Sequence, residues 1–511
     1  MADTDMTLLA ASDGDLDTSD QLTMASAFQK VFIANGAKLK VADFINTKIA
    51  TTDIGTAAPD SGTILTGGTS GAKMIVDYIT ADTDDAAATI YGYRITTETF
   101  AAETITGTDD DGNAISFATG AVEVASPHWY DWTVFAGNAT DYGAIPNKAY
   151  LICVYRGRLV ISGNPEYPNQ WYMSRVAKPF DFLYGANDPM SAVAGNNADA
   201  GQCPDIVRSL ISFHDDYLIF GCASTIWILR GDPVSGGSLD NLSDTTGMYG
   251  SNSWCFDDNR NLYFWGTGGL YKIESNFSGI TNLTETLLPN IINEEGADTS
   301  THRITMGYDK KRQGIVVCIT VLASGVNSNY FYSFKTRGFF PETYPEECGV
   351  YSLLSYDAND PDYSDLLFGC KDGYIRKLVN TAKDDDIGAS DEAISSYVVY
   401  PITPLSELDV KGKLTELVFE LAGGSADGEF TDSDGVTYSL YKGDDAETVL
   451  EDIIDGAAPF KTAELTGSGR KNKIRPRMRG AYCGIKLSNS NASESWGINK
   501  VMFDTRRAGK V

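Results

Sequence analysis

At 511 residues the chain is longer than one ordinary domain, so roughly two to four units are expected. With 42% hydrophobic and 11% aromatic residues it can bury sizeable cores, which excludes wholesale disorder. The formal net charge of −29 argues against a sequence-reading nucleic-acid binder, which needs basic patches for phosphates, yet an acidic wall still lets DNA slide past without sticking.

Residues Met1 to Asp20 are acidic and polar, with no basic stretch leading into an apolar one. No secretory signal is expected, and no apolar run anywhere reaches membrane-spanning length. Glycine is common, 50 residues, and short β-branched or aromatic runs recur between Gly, Asn and Asp clusters. That is the pattern of an all-β chain. One form repeats: an aromatic residue, a polar turn, then an apolar strand ending near Gly or Cys. Copies are anchored at Phe28, Tyr155, Phe213, Phe256, Tyr308 and Tyr356. From Tyr155 onward the spacing is roughly 43 to 58 residues, the size of a propeller blade. Phe28 lies too far upstream for one blade. The excess falls on residues 50–125, which are rich in Thr, Ala, Gly and Asp and carry strand-sized pieces at Lys73–Ile79 and Thr89–Ile95. These read as a self-contained inserted β-barrel or sandwich. After about residue 380 the repeat stops. Asp384 to Asp391 reads as an acidic linker. Strands at Leu414–Leu421, Thr437–Tyr441, Ala481–Leu487 and Gly497–Phe503, with a helix at Ala446–Asp455, then suggest a β-sandwich. The expected architecture is a β-propeller of about six blades. Residues 1–49 contribute to the propeller, 50–125 form the inserted small β-barrel, 126–385 form the propeller, and 386–511 form the C-terminal β-sandwich platform.

Catalytic chemistry finds little support. The three histidines, His128, His214 and His302, are scattered, with no pair at ligand spacing. The eight cysteines include no C-x-x-C, and Cys222, Cys318 and Cys370 each follow an apolar run, as small reduced core residues do. Thr431–Tyr438 is a single, imperfect likeness of the sialidase Asp box, and its Asp-Gly step suits a hairpin. Asp109–Asn113 faintly suggests a calcium loop but lacks the spaced ligands, and a solvated hairpin tip accounts for it. No phosphate-binding loop is present. No enzyme, no cofactor and no metal site are expected.

One basic run stands out: Arg470, Lys471, Lys473, Arg475, Arg477 and Arg479. On a strand, Arg475, Arg477 and Arg479 would share one face. A solvated edge protected by charge accounts for them, and so does an anchor for an acidic neighbour or a DNA phosphate. Because arginine forks suit carboxylates and the chain is strongly acidic, Arg475, Arg477 and Arg479 are the candidate subunit-interface residues.

Four segments carry a resemblance. Asn164–Ser174 followed by Pro179–Phe182 resembles a segment of the tail nozzle, or packaged-DNA stabilisation, proteins of short-tailed phages. Thr245–Gly250 leading into Leu262–Phe264 and Gly269–Tyr271 looks like their next blade. Thr66–Ala72 with Phe100–Ile105 is similar to a small β insertion common in phage structural proteins. Arg475–Gly480 and then Trp496 resemble their closing platform. The resemblance touches most of the chain, and its order is the signal. It implies a homo-oligomer, a hexameric ring at the distal end of the virion's tail, made in the host cytoplasm and not inserted in a membrane. The ring would continue the DNA channel below the portal and adaptor proteins, retain packaged DNA and pass it on ejection. It would touch genomic DNA transiently and without sequence preference, and tail fibres or spikes would dock on it. No catalytic residue carries over. Two alternatives stand beside this reading: a receptor- or carbohydrate-binding tail propeller, and a propeller glycoside hydrolase. A closed ring with an axial hole separates the first reading from the second, and a conserved carboxylate cluster in one propeller mouth would favour the third.

Overall fold

Short strands joined by tight turns can pair only with their neighbours in sequence, and this chain is built almost entirely that way. The computed structural model describes residue 16 and residues 21–510, apart from 83–85, 137–138, 186–187, 380–381, 388–389, 408–409, 424–432, 434 and 468. It divides into two compact units, Met1–Tyr308 and Asp309–Val511.

The first unit holds antiparallel meanders of four strands. The first sheet runs Thr23–Ala27, Lys30–Ala34, Leu39–Asp43 and His128–Asp131. The second runs Leu151–Tyr155, Arg158–Asn164, Tyr167–Met173 and Val193–Ala194. The third and fourth start at Val207–Phe213 and Trp254–Phe256 and end at Ser238–Ser243 and Ile280–Asn282. A fifth sheet has the strand order His302–Asp309, Gly314–Val321, Asn327–Ser333 and Phe339–Glu342. The sixth has three strands, Val350–Tyr356, Asp365–Cys370 and Ile375–Lys377. Six meanders in succession are the blades of a β-propeller.

The repeated aromatic anchors have a common place. Tyr155, Phe213, Phe256 and Tyr356 each end the first strand of a sheet, Tyr308 lies one residue before such an end, and Phe28 lies one residue after. The polar turn that follows each anchor is the hairpin into the second strand. At Arg156-Gly157 and at Phe28-Gln29 that hairpin is two residues long, with every φ positive, between 49° and 69°. Such turns match the strand twist. The anchors also join neighbouring blades. The Tyr155 hydroxyl donates to the carbonyls of Asp216 and Gly231 at 3.1 and 2.8 Å. The Tyr308 hydroxyl donates to Asp258 at 3.0 Å, and the Phe213 and Phe256 rings lie 5.5 Å apart. Arg158 reinforces the second blade. Its fully buried guanidinium donates to the carbonyls of Ser174, Pro189, Met190 and Ser191 and pairs with Asp232 at 3.3 Å.

The first sheet is interrupted between its third and fourth strands. Between Asp43 and His128 lies a six-stranded antiparallel sheet of Thr47–Thr51, Ile64–Gly67, Lys73–Ile79, Ala88–Arg94, Thr104–Thr108 and Ala114–Ala118. Bridges Thr51↔Thr119 and Lys48↔Val124 tie its first strand to the segment after its last, so the sheet curls into a small barrel. The buried interior of this insertion is continuous with that of the propeller. Tyr78 stacks on Tyr130 and Phe180 at 5.2 and 4.5 Å, and Tyr91 lies 4.3 Å from Tyr130, so barrel and first blade bury one continuous cluster. A buried polar seam runs beside it. The Tyr130 hydroxyl and the Asn46 amide donate to Asp43 at 2.8 and 2.7 Å, and Asn46 also donates to Asp77, which pairs with Lys30 at 2.7 Å. The expectation of a self-contained insertion therefore misses this shared core. The rings that form it are separated by up to 102 positions in the chain, and no local pattern links them.

The motif Thr66–Ala72 has a structural cause. Glu103, almost fully buried, accepts from the N–H of Thr69 at 2.6 Å, of Ser70 at 2.8 Å and of Ala101 at 3.0 Å, and from the Ser70 hydroxyl. Gly67 is required because a Cβ there would sit 2.5 Å from Glu103 Oε1. The turn at Asp109–Asn113 joins two barrel strands, with the Asp109 carboxylate held by the N–H and amide of Asn113 at 2.6 and 2.8 Å.

In the second unit, Asp384–Ile387 and Ser390–Ala393 form a two-stranded hairpin where a linker was expected. Beyond it two sheets face each other. One contains Ser396–Val399, Thr403–Pro404, Thr437–Gly443, Lys461–Glu464 and Tyr482–Asn489. The other is built on the long strand Val410–Leu421, flanked by Ile498–Lys510 on one edge and by Gly469–Ile474 and Met478–Gly480 on the other. Leu414, Leu417, Phe419 and Leu421 of one sheet pack on Tyr438, Leu440, Ile485 and Leu487 of the other, as in a β-sandwich. A helix at Ala446–Ile454, capped by Asp445, covers the back of the first sheet with Val449 and Ile453.

Candidate interaction face

The long strand Val410–Leu421 alternates buried and half-exposed positions, so one face meets the sandwich core and the other meets solvent. Register then decides what the outer face carries. Lys413 is directly opposite Arg479 on one side and Arg506 on the other. Directly paired residues project from the same face, so three cations form a row across three strands. Neighbouring outward positions add Lys473 and Arg475. Their shared partner is Glu416, at 2.6 Å from Lys473 and 3.6 Å from Arg475. The Lys473 contact first, with Arg475 beside it, holds the Glu416 carboxyl below its ordinary range.

The three candidate arginines are thus exposed together, while Pro476 and Met478 between them are buried. They do not lie on one continuous strand. Pairing stops at Ile474 and resumes at Met478, and Arg477 sits in the left-handed region at φ 53°. The cause is local: Pro476 offers no N–H to the ladder, and the facing strand is itself irregular between Leu414 and Glu416. The Arg479 guanidinium lies across the face and donates to the Ala508 carbonyl. Among the described residues neither Lys413 nor Arg477 has a carboxylate within ion-pair distance. Nothing is described for the side chains of Arg470 and Lys471.

Sequence reasoning missed Lys413 and Arg506. Lys413 falls just before the strand expected at Leu414, and Arg506 falls just after the one expected to end at Phe503. Both strands run further than their apolar positions, and the alternation of Lys411 and Lys413 was the available signal.

The groups weighed for catalysis are far from this face in character. His128 is buried, with Nε2 unpartnered among the described residues, and burial lowers its pKa first, with Lys48 adding to the effect. His214 occupies a hairpin turn at φ 54°. His302 accepts at Nδ1 from the Asp298 N–H at 3.3 Å. The eight cysteines are free thiols, seven of them buried. Of the Asp-box likeness, Thr431, Asp432 and Asp434 lie outside the described residues. Among the described residues no cluster of His, Cys, Asp and Glu has metal-holding geometry, and no helix is long and apolar enough to cross a membrane.

No protein-family model matches the chain, and no curated protein matches it. Several solved structures align with it distantly. The extracellular domain of a one-component system from B. thetaiotaomicron aligns at 13% identity over 94% of this chain and 74% of its own, with a TM-score of 0.32. An oligogalacturonate lyase in complex with manganese aligns at 8% identity over 72% of this chain and 87% of its own, with a TM-score of 0.23. The phage phi92 endosialidase aligns at 11% identity over 75% of this chain and 66% of its own, also at 0.23. At such TM-scores these likenesses bear on neither activity nor partners.

Proposed function

We propose that the chain is a structural subunit of a phage tail, a ring-forming nozzle or hub that continues the DNA channel and is not an enzyme. The single observation that carries the reading is the cation face of the C-terminal sandwich on a chain of net charge −29. A row of like charges on adjacent strands is unfavourable by itself and becomes favourable against an anionic partner. An acidic chain that assembles with copies of itself supplies such a partner at high local concentration. The propeller and its inserted barrel are the scaffold that the ordered sequence resemblance implies for this role. Sedimentation of the purified full chain tests it: a discrete multimer with the mass of about six chains supports a ring. A chain that stays monomeric at tens of micromolar overturns the ring and favours a receptor- or carbohydrate-binding propeller.

A further inference from the structure

We infer that the row Arg479, Lys413, Arg506 is the seat of one defined element, the acidic hairpin Asp384–Ala393 of a second copy of this chain. The inference rests on the ring-forming reading above and deepens it by naming both halves of the contact.

The hairpin is the counterpart of the row in sign and in form. It carries five carboxylates in two short strands, Asp384, Asp385, Asp386, Asp391 and Glu392. Its register sets Asp385 directly against Glu392 and Asp386 directly against Asp391. Like charges facing each other across a ladder destabilise it, and a two-stranded hairpin is marginal even without that penalty. Asp384 is occupied, accepting from the N–H of Ser493 at 2.7 Å. The other four have no lysine or arginine within ion-pair distance among the described residues, and Asp386, Asp391 and Glu392 are exposed. At Asp385 burial first, then Glu392 and Asp384, raises the carboxyl above its ordinary range, with Arg376 opposing them in part.

The cation row has the matching defect. Arg479 and Arg506 flank Lys413 on strands about 4.8 Å apart. The one carboxylate near Arg506, Asp504, is at 3.9 Å, and Arg506 remains largely exposed. Each strip therefore carries an excess of charge of one sign, and each is narrow enough to lie along the other. Hairpin and row are different surfaces, so the contact is head to tail. Repeated contacts of that kind close into a ring or run on as a filament. Duplex DNA is the competing occupant of the cation row, and the experiment distinguishes it.

The test uses the full chain in three forms, checked for native circular dichroism, with association read by sedimentation velocity. The first variant is Lys413→Glu with Arg479→Glu and Arg506→Glu. The second is Asp386→Lys with Asp391→Lys and Glu392→Lys. The third combines all six. Each of the first two is expected to associate at least tenfold more weakly than the parent. The combined variant is expected to recover, because both signs are exchanged. An equimolar mixture of the first two should also assemble, as alternating copies, since the native hairpin of the first meets the native row of the second and the reversed row of the first meets the reversed hairpin of the second. If the parent assembles and both single-surface variants assemble equally well, this inference fails and the ring reading stands. If only the row matters, the hairpin is not the occupant and the inference fails. If the row variant assembles normally but loses a labelled DNA duplex that the parent binds, phosphate is the occupant and the inference fails. A monomeric parent overturns the inference and the ring reading together.

Discussion

Replacing Glu103 by Gln tests whether a single carboxylate holds the Thr66–Ala72 loop. The glutamate receives three backbone N–H groups and one hydroxyl. Burial raises its pKa, but the hydrogen bonds from Ser70, Ala101 and Thr69 outweigh that and lower it to about 2, from an ordinary 4.5. Hydrogen bonds to a charged group contribute roughly 1.5–3 kcal/mol each, and an amide retains one acceptor while presenting an NH2 to donors. Thr69 is exposed, so water recovers part of the loss. A net cost of about 2 kcal/mol is expected, or roughly 30-fold faster amide exchange at Thr69 and Ser70. The sign in pH follows. A depressed carboxyl stabilises the fold above pH 4.5, and that contribution is lost as pH falls through about 2. The gap between parent and Glu103→Gln should therefore be widest at neutral pH and shrink toward pH 2, measured as protection factors in each form. Equal protection in both forms at neutral pH, or a gap that does not narrow in acid, would refute the reasoning.

The remaining expectations concern packing. Replacing Arg158 by Met leaves buried carbonyls and Asp232 without their donor and should cost about 3–5 kcal/mol, read from urea unfolding; a loss under 1 kcal/mol would show that the guanidinium is dispensable. Tyr130→Phe removes one hydrogen bond to the buried Asp43 carboxylate and should cost about 1.5–3 kcal/mol with the barrel still folded. Excising residues 50–125 uncovers Tyr130 and Phe180 and should yield a less soluble chain with a lower melting temperature; an unchanged melting temperature would mean the shared core contributes little.

What the sequence disclosed follows from how local each feature is. The blade anchors were legible because each sits beside its own hairpin, within about ten residues of the strand it pairs with, as Tyr155 and Arg158 do. The strand Lys73–Ile79 and the helix at Ala446–Ile454 were legible for the same reason. The core joining Tyr78, Tyr130 and Phe180 was not, because it depends on packing between elements far apart in the chain. The cation face was half legible. The alternation of Arg475, Arg477 and Arg479 identifies an exposed basic edge, but only the register of three strands adds Lys413 and Arg506. The break at Pro476 was visible as a proline in a presumed strand. The acidic hairpin read as a linker because Asp-rich segments have low β propensity, and its pairing runs against that preference.

A negative-stain image of the purified full-length oligomer tests the central claim most directly. A ring-forming tail subunit predicts closed rings of uniform size, about six-fold, with an axial hole open along the symmetry axis. Single particles the size of one chain, or oligomers without an axial opening, would contradict it.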